Sequence, residues 1–312
     1  MSHDHDHAPG GHAGHSHGVS ADADRGKLAI ALALIVGFML VEVVVGTLVQ
    51  SLALLSDAAH MLTDAGAIGL SLVAIRLAAR PAKGAMTFGY KRAEILSAQF
   101  NGATLLVLAL LIVYEGIRRL ITPPDVGGTP VLVVALIGVV VNLAATWTLS
   151  KANRQSMNVE GAYQHILTDL AAFVFTAIAG IFILTTGFNR ADGIASLIIA
   201  AIMLKAAYGL LKASGRVFLE AAPEGIDVNA VGRALAEQDG VKEVHDLHIW
   251  EVTSGFPALS AHVLVGRDAD CHALRRGMER ALHDRFDIEH TTLQVDHEGD
   301  QLLNIGSAAR GV

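Results

Sequence analysis

The chain has 312 residues, 52% of them hydrophobic and 17% charged, with a formal net charge of −7 and a mean hydropathy of +0.47. That balance points to a membrane protein, and the negative charge argues against a nucleic-acid binder, which needs a basic face. The single cysteine, Cys271, excludes an intrachain disulfide and any CxxC metal or redox motif.

Residues 1–25 read as a disordered His-rich tail, with six of the 15 histidines among the first 17 positions. The stretch has no basic region followed by an apolar run, so it is not a signal peptide, and it has too few apolar residues for a core. Its histidines alternate with Asp, Gly and Ser instead of running contiguously as in a tag. A tract of this kind collects metal loosely.

Six apolar segments follow, each long enough to cross a bilayer, which takes about 20 residues. They lie at 28–49, 52–78, 95–117, 130–149, 159–186 and 193–211. The flanking Lys and Arg set the orientation. Arg25, Lys27, Arg76, Arg80, Lys83, Lys91, Arg92, Lys151, Arg154, Lys212 and Arg216 fall on one side, against Arg118, Arg119 and Arg190 on the other. Both termini are therefore expected in the cytoplasm, and the second and fifth segments run antiparallel. Residues 26–212 form the expected membrane domain.

Residues 213–312 are polar and form the expected cytoplasmic domain. "DVNAVGRALAEQ" reads as helix, "VKEVHDLHIWEVTS" and "ALSAHVLVG" as strands, and "DCHALRRGMERALHDRF" as an amphipathic helix with Leu274, Met278 and Leu282 on one stripe. "HTTLQVDH" is a third strand. The order α-β-β-α-β suits a small α+β domain with one helical layer on a sheet.

Two near-copies of one motif interrupt the apolar segments: "HMLTD" at 60–64 and "HILTD" at 165–169. Residues four apart share a helix face, so His60 projects with Asp64 and His165 with Asp169; Asp57 lies near the first stripe. An Asp at the centre of a membrane helix costs about 2.5–3.5 kcal/mol on insertion scales, so the four groups need a compensating partner. Interhelical hydrogen bonds or a water-filled cavity would supply one. A shared divalent cation fits better: two imidazoles and two carboxylates make a tetrahedral N/O set for Zn²⁺, with two negative charges against two positive. An imidazole titrates near pH 6.5 and binds metal only when deprotonated, so metal and protons compete for one site. Alternating exposure then requires the two motif helices to move around a midplane site. Thr63 and Thr168 point about 100° away from the aspartates and should serve packing or backbone bonding. Among the other polar residues, Glu42 and Asn101 are proton-path or packing groups, Asn142 is helix–helix glue, and Glu115 pairs with Arg118 and Arg119.

"SLALLSDAAHMLTDAGA", "TFGYKRAEILSAQFNG", "NVEGAYQHILTDLAA" and "VHDLHIWEVTSG" together resemble the cation diffusion facilitator family. The likeness is to its zinc-transporting branch, which includes bacterial cobalt–zinc–cadmium resistance efflux proteins, and it runs from about residue 25 onward. It implies six transmembrane helices and a C-terminal cytoplasmic ferredoxin-like domain similar to copper chaperones. It also implies a homodimer that exchanges a divalent metal for H⁺ across the inner membrane, with Zn²⁺ as substrate and no prosthetic group. By position it makes His60, Asp64, His165 and Asp169 the transport ligands, and His60 matches the zinc-selective pattern. His245, His262 and Asp296 match positions used for regulatory metal in the cytoplasmic domain, with His248, His272, His290 and His297 nearby. The loop "RPAKGAMTFGYKR" holds no histidine, so a metal site found there in some relatives is not expected. Cd²⁺ and Co²⁺ accept the same N and O ligands as Zn²⁺, and the sequence does not rank them. Two rival classes stay open: a membrane-anchored metal sensor, and an intramembrane metalloenzyme. Against the second, four protein ligands would close the shell, and no HExxH motif occurs.

Overall fold

The structure is a computed structural model and describes residues 21–48, 52–122, 128–154 and 156–298. Six long apolar helices span the membrane: α1 (Ala21–Leu48), α2 (Leu52–Ala78), α3 (Ala93–Ile121), α4 (Gly128–Ser150), α5 (Met157–Thr186) and α6 (Arg190–Phe218). Each is apolar on most of its circumference. Val107, Leu110, Leu111 and Tyr114 of α3 are all more than half exposed, as expected of side chains bathed in lipid.

The helices group into two sets. Helices α1, α2, α4 and α5 share one core through Leu28, Ile35, Met61, Ile68, Leu149 and Ile166. Helices α3 and α6 pack along each other through Leu105, Ala109, Ile199 and Met203. Gly116 and Gly193 bring those two backbones together: a Cβ on Gly193 would sit 3.1 Å from the Gly116 carbonyl oxygen. Small residues at a crossing are how membrane helices gain close packing when lipid is as apolar as leucine.

The helix ends depart from the apolar segments in an instructive way. α1 begins at Ala21, inside the stretch expected to be disordered, and residues 1–20 lie outside the described residues. α6 continues to Phe218, past the expected boundary at 212. Hydropathy reports where hydrocarbon ends, while the helix runs on through Lys212 and Arg216, whose backbone stays hydrogen-bonded beyond the membrane.

The C-terminal domain contains α7 (Val228–Ala236), β1 (Val241–Glu251), β2 (Pro257–Val265), α8 (Cys271–Phe286) and β3 (His290–His297). The strand order is β1-β2-β3, with β1/β2 antiparallel and β2/β3 parallel across α8. This is the β-α-β-β-α-β ferredoxin-like pattern without its first strand. Both helices start on aspartate caps: Asp227 accepts from Asn229 N at 2.9 Å and Asp270 from Ala273 N at 3.0 Å. One face of the sheet meets the helices through Leu259, Val263, Leu293, Val231, Met278 and Leu282. As expected, Met278 and Leu282 are fully buried.

A polar junction ties this domain to the membrane helices. Glu94, buried in the first turn of α3, accepts a hydrogen bond from Ser156 Oγ at the head of α5 and another from Thr253 Oγ1 after β1, both at 2.6 Å. The Met157 N–H donates to Ser254 Oγ at 3.1 Å. Beside it, burial pushes the Glu251 carboxyl above its ordinary value, against the pull of the Gly255 N–H. Arg92 pairs with Glu220 at 3.4 Å, and Phe88 meets His290 edge-on at 5.5 Å.

Candidate metal centre

Helices α2 and α5 cross antiparallel and bring the two motifs together. Asp64 is 3% exposed and His165 2% exposed, within the core built by Met61, Ile68 and Ile166. His165 Nε2 lies 2.6 Å from Asp64 Oδ1 and 3.9 Å from Asp169 Oδ2. One ligand atom from each of the three residues falls within 4.8 Å of the others. The side chains of His60 and Asp57 lie outside the described residues; the backbone of His60 is in α2, one turn before Asp64.

The 2.6 Å contact is a hydrogen bond. Two ligands of one tetrahedral Zn²⁺ would stand about 3.3 Å apart, given bonds of about 2.0–2.1 Å. A small opening of the His165–Asp64 pair would therefore bring these two atoms to the separation that two zinc ligands need. Thr168 donates from Oγ1 to the His165 carbonyl at 2.6 Å, the backbone role expected of it.

Of the other intramembrane polar residues, Glu115 forms the expected ion pairs with Arg118 and Arg119 at 3.4 and 3.2 Å, and Arg119 reaches Asp192 at 2.6 Å. Among the described residues, Asn142 makes no side-chain bond to another helix; it donates to Gly138 O of its own helix at 3.1 Å. Asn101 donates to Ser71 Oγ at 3.1 Å, linking α3 to α2.

A second ligand cluster sits on the open face of the sheet. His245 and His262 are cross-strand partners with ring centroids 5.4 Å apart. The third member is Asp246, whose Oδ2 is 3.9 Å from His262 Nδ1. Strand alternation would send Asp246 to the face opposite His245. The pairing slips by one residue between His245 and His248, and Asp246 takes a φ of 49°, so a bulge returns it to the histidine side. Asp296, expected here, lies opposite Leu264, two pairs along the ladder from His262, and accepts from Gln294 Nε2 at 2.9 Å. Among the described residues it is not part of the cluster. Of the nearby histidines, His290 lies against Phe88, edge-on, and against Phe256, tilted, with ring centroids 5.5 and 5.8 Å away, and His297 Nε2 bonds the Ala269 carbonyl at 3.0 Å.

Known proteins share this plan. The cation efflux transmembrane domain model matches residues 28–219, and the model of the cation efflux protein cytoplasmic domain matches residues 223–298. The chain is 39% identical to a cadmium, cobalt and zinc/H(+)-K(+) antiporter of Bacillus subtilis, covering 91% of this chain and 92% of that one. It is 41% identical to the metal cation efflux system protein CzcD of Cupriavidus metallidurans, over 91% and 90% of the two chains. It is 36% identical to the zinc transporter ZitB of Escherichia coli, over 96% and 93%. Among solved structures, the metal-bound C-terminal domain of the CzcD transporter of Cupriavidus metallidurans is 35% identical over 23% of this chain and 99% of that one, with a TM-score of 0.22.

Proposed function

We propose that this chain, which belongs to the cation efflux family, exports divalent metal, Zn²⁺ foremost, from the cytoplasm in exchange for protons. The observation that carries the reading is the buried His165 Nε2 facing the carboxylates of Asp64 and Asp169. His60, on the same α2 stripe, is the fourth ligand. An imidazole among carboxylates favours Zn²⁺, Cd²⁺ or Co²⁺ over the all-oxygen cations Mg²⁺ and Ca²⁺. Metal and proton compete for the same atoms, so metal loads from the cytoplasm and leaves when protons arrive from outside. The relatives' activities, zinc transport and cadmium, cobalt and zinc antiport, support this choice. No substrate bond is made or broken, and no prosthetic group is involved.

The chain works as a homodimer in the inner membrane with both termini in the cytoplasm, as the distribution of Lys and Arg supports. His245, Asp246 and His262 form a regulatory site that senses cytoplasmic metal and tightens the dimer, with Asp296 as an outer neighbour. The tail 1–25 gathers metal at the entrance.

Purified protein in liposomes under an imposed pH gradient tests the reading. Zn²⁺ flux should vanish in Asp64→Ala and Asp169→Ala while both variants stay folded in the membrane; wild-type rates in either would sink it. Deleting residues 1–24 should lower capacity modestly.

A further inference from the structure

The most demanding feature outside the metal centre is a group of polar side chains where α2, α3 and α5 meet. Ser71 and Asn158 are 0% exposed, Asn101 is 1% and Ser97 is 3%. Both asparagines turn their amino groups onto Ser71: Asn101 Nδ2 donates to its Oγ and Asn158 Nδ2 to its carbonyl oxygen, each at 3.1 Å. The amide orientations follow from chemistry. Ser71 already donates its one hydroxyl proton to Ala67 O, so Asn101 must present its NH₂ to that oxygen. A carbonyl only accepts, so Asn158 must do the same.

The consequence is that, among the described residues, Asn101 Oδ1 and Asn158 Oδ1 are buried acceptors that meet no donor, and Ser97 Oγ is likewise without a partner. Buried amide oxygens are ordinarily bonded, so two on residues that share Ser71 as a partner call for an explanation. Gly161, one turn after Asn158, lets α5 approach; a Cβ there would stand 3.9 Å from Asn101 Nδ2 and 3.2 Å from Leu210.

The position of the group is as informative as its chemistry. Ser71 is seven residues after Asp64 on α2, and Asn158 seven before His165 on α5, so the group lies about 10 Å from the metal centre, two helical turns toward the C-terminal domain. On α3, Glu94, Ser97 and Asn101 share one face. A polar line therefore runs from the Glu94 carboxylate at the domain junction, past the amide oxygens, to Asp64 and His165.

We propose that Asn101 Oδ1, Asn158 Oδ1 and Ser97 Oγ form a neutral oxygen transit site for the divalent cation on its way from the cytoplasm to the metal centre. This rests on the export reading above. Amide and hydroxyl oxygens can replace water around a cation, and their lack of charge suits a site that must release its ion to the carboxylates beyond. Bridging by ordered water alone, or simple gluing of helices, are the outcomes the experiment separates.

The test compares Zn²⁺ flux in proteoliposomes with equilibrium Zn²⁺ binding to the same protein in detergent. Asn101→Leu with Asn158→Leu should cut the initial flux about tenfold or more while the affinity of the metal centre stays within about twofold, since only passage is impaired. Unchanged flux, the result a water site gives, overturns the proposal; so does an affinity that falls in step with flux. Ser71→Ala, which removes the side-chain bond to Asn101 but keeps both amide oxygens and the Asn158 bond to the backbone carbonyl, should lose less flux than the leucine pair, and a loss equal to that of the pair overturns the proposal as well. Asn101→Asp with Asn158→Asp should bind one more Zn²⁺ per protomer than wild type and transport more slowly; no added ion counts against a shared site. Failure here leaves the export reading standing if Asp64→Ala still abolishes flux, whereas wild-type protein without flux removes both.

Discussion

Replacing Glu94 with Gln should loosen the C-terminal domain from the membrane helices without unfolding either. The carboxylate accepts two hydroxyl hydrogen bonds at 2.6 Å, one from Ser156 and one from Thr253, a length typical of charge-assisted O–H···O⁻ bonds. Bonds to a charged group contribute about 1.5–3 kcal/mol each and neutral ones about 0.5–1.5. Gln keeps one neutral acceptor and offers its NH₂ to the other hydroxyl, so the substitution costs about 2–3 kcal/mol of docking. Amide hydrogen exchange reads this directly at Ser254–Phe256 and at the first turn of α5. Opening there should speed up about 30- to 150-fold, while exchange within β2 stays unchanged. A change under about threefold at the junction would refute the assigned role of the carboxylate.

Three more outcomes follow from specific contacts. Asp64→Asn keeps the shape and removes one charge from a centre whose ligand atoms lie within 4.8 Å of one another. A dication there is under about 3 Å from the carboxylate, a gross attraction of about 11 kcal/mol at an effective dielectric of about 20. Dehydration offsets most of that, and calorimetric Zn²⁺ affinity should still fall about tenfold or more. Gly138→Ala places a Cβ 2.4 Å from Phe173 Cδ1, so the Phe173 ring or the helices must shift, and thermal stability in detergent should drop by about 1–3 kcal/mol. The Ala273 N–H holds the Asp270 carboxyl below its ordinary 3.8, so its cap on α8 is fully present above about that pH and is lost as pH falls through the lowered value. Asp270→Asn should remove that part of the acid transition, read by Trp250 fluorescence.

What the sequence made legible had a local signature. HMLTD and HILTD stand out because a His and an Asp four apart on an apolar helix cost energy that only a partner returns. The six helices were visible because lipid demands long apolar runs, and β3 came out at 290–297 because its pattern needs no register shift. The misses share the opposite property. Asp246 enters its cluster only through a bulge, which alternation does not foresee. Glu94 reads as an ordinary charge in a helix's first turn until Ser156 and Thr253, distant in sequence, are seen to donate to it. Asn101, Ser71 and Asn158 come from three helices, and no spacing within any one of them announces the meeting. Asn142, with a carbonyl one turn back on its own helix, had a local partner that the expectation of interhelical glue overlooked.

The claim that metal and proton occupy the same gap between His165 and Asp64 is tested most directly by following both ions at once. Proteoliposomes carrying a Zn²⁺ indicator on one side of the membrane and a pH indicator on the other receive a Zn²⁺ gradient with no initial pH difference. Zn²⁺ movement should drive protons the opposite way, in step with the metal, and both signals should disappear together in Asp64→Ala. Zn²⁺ flux with no proton counterflow, or proton movement that survives the loss of Asp64, would contradict the account.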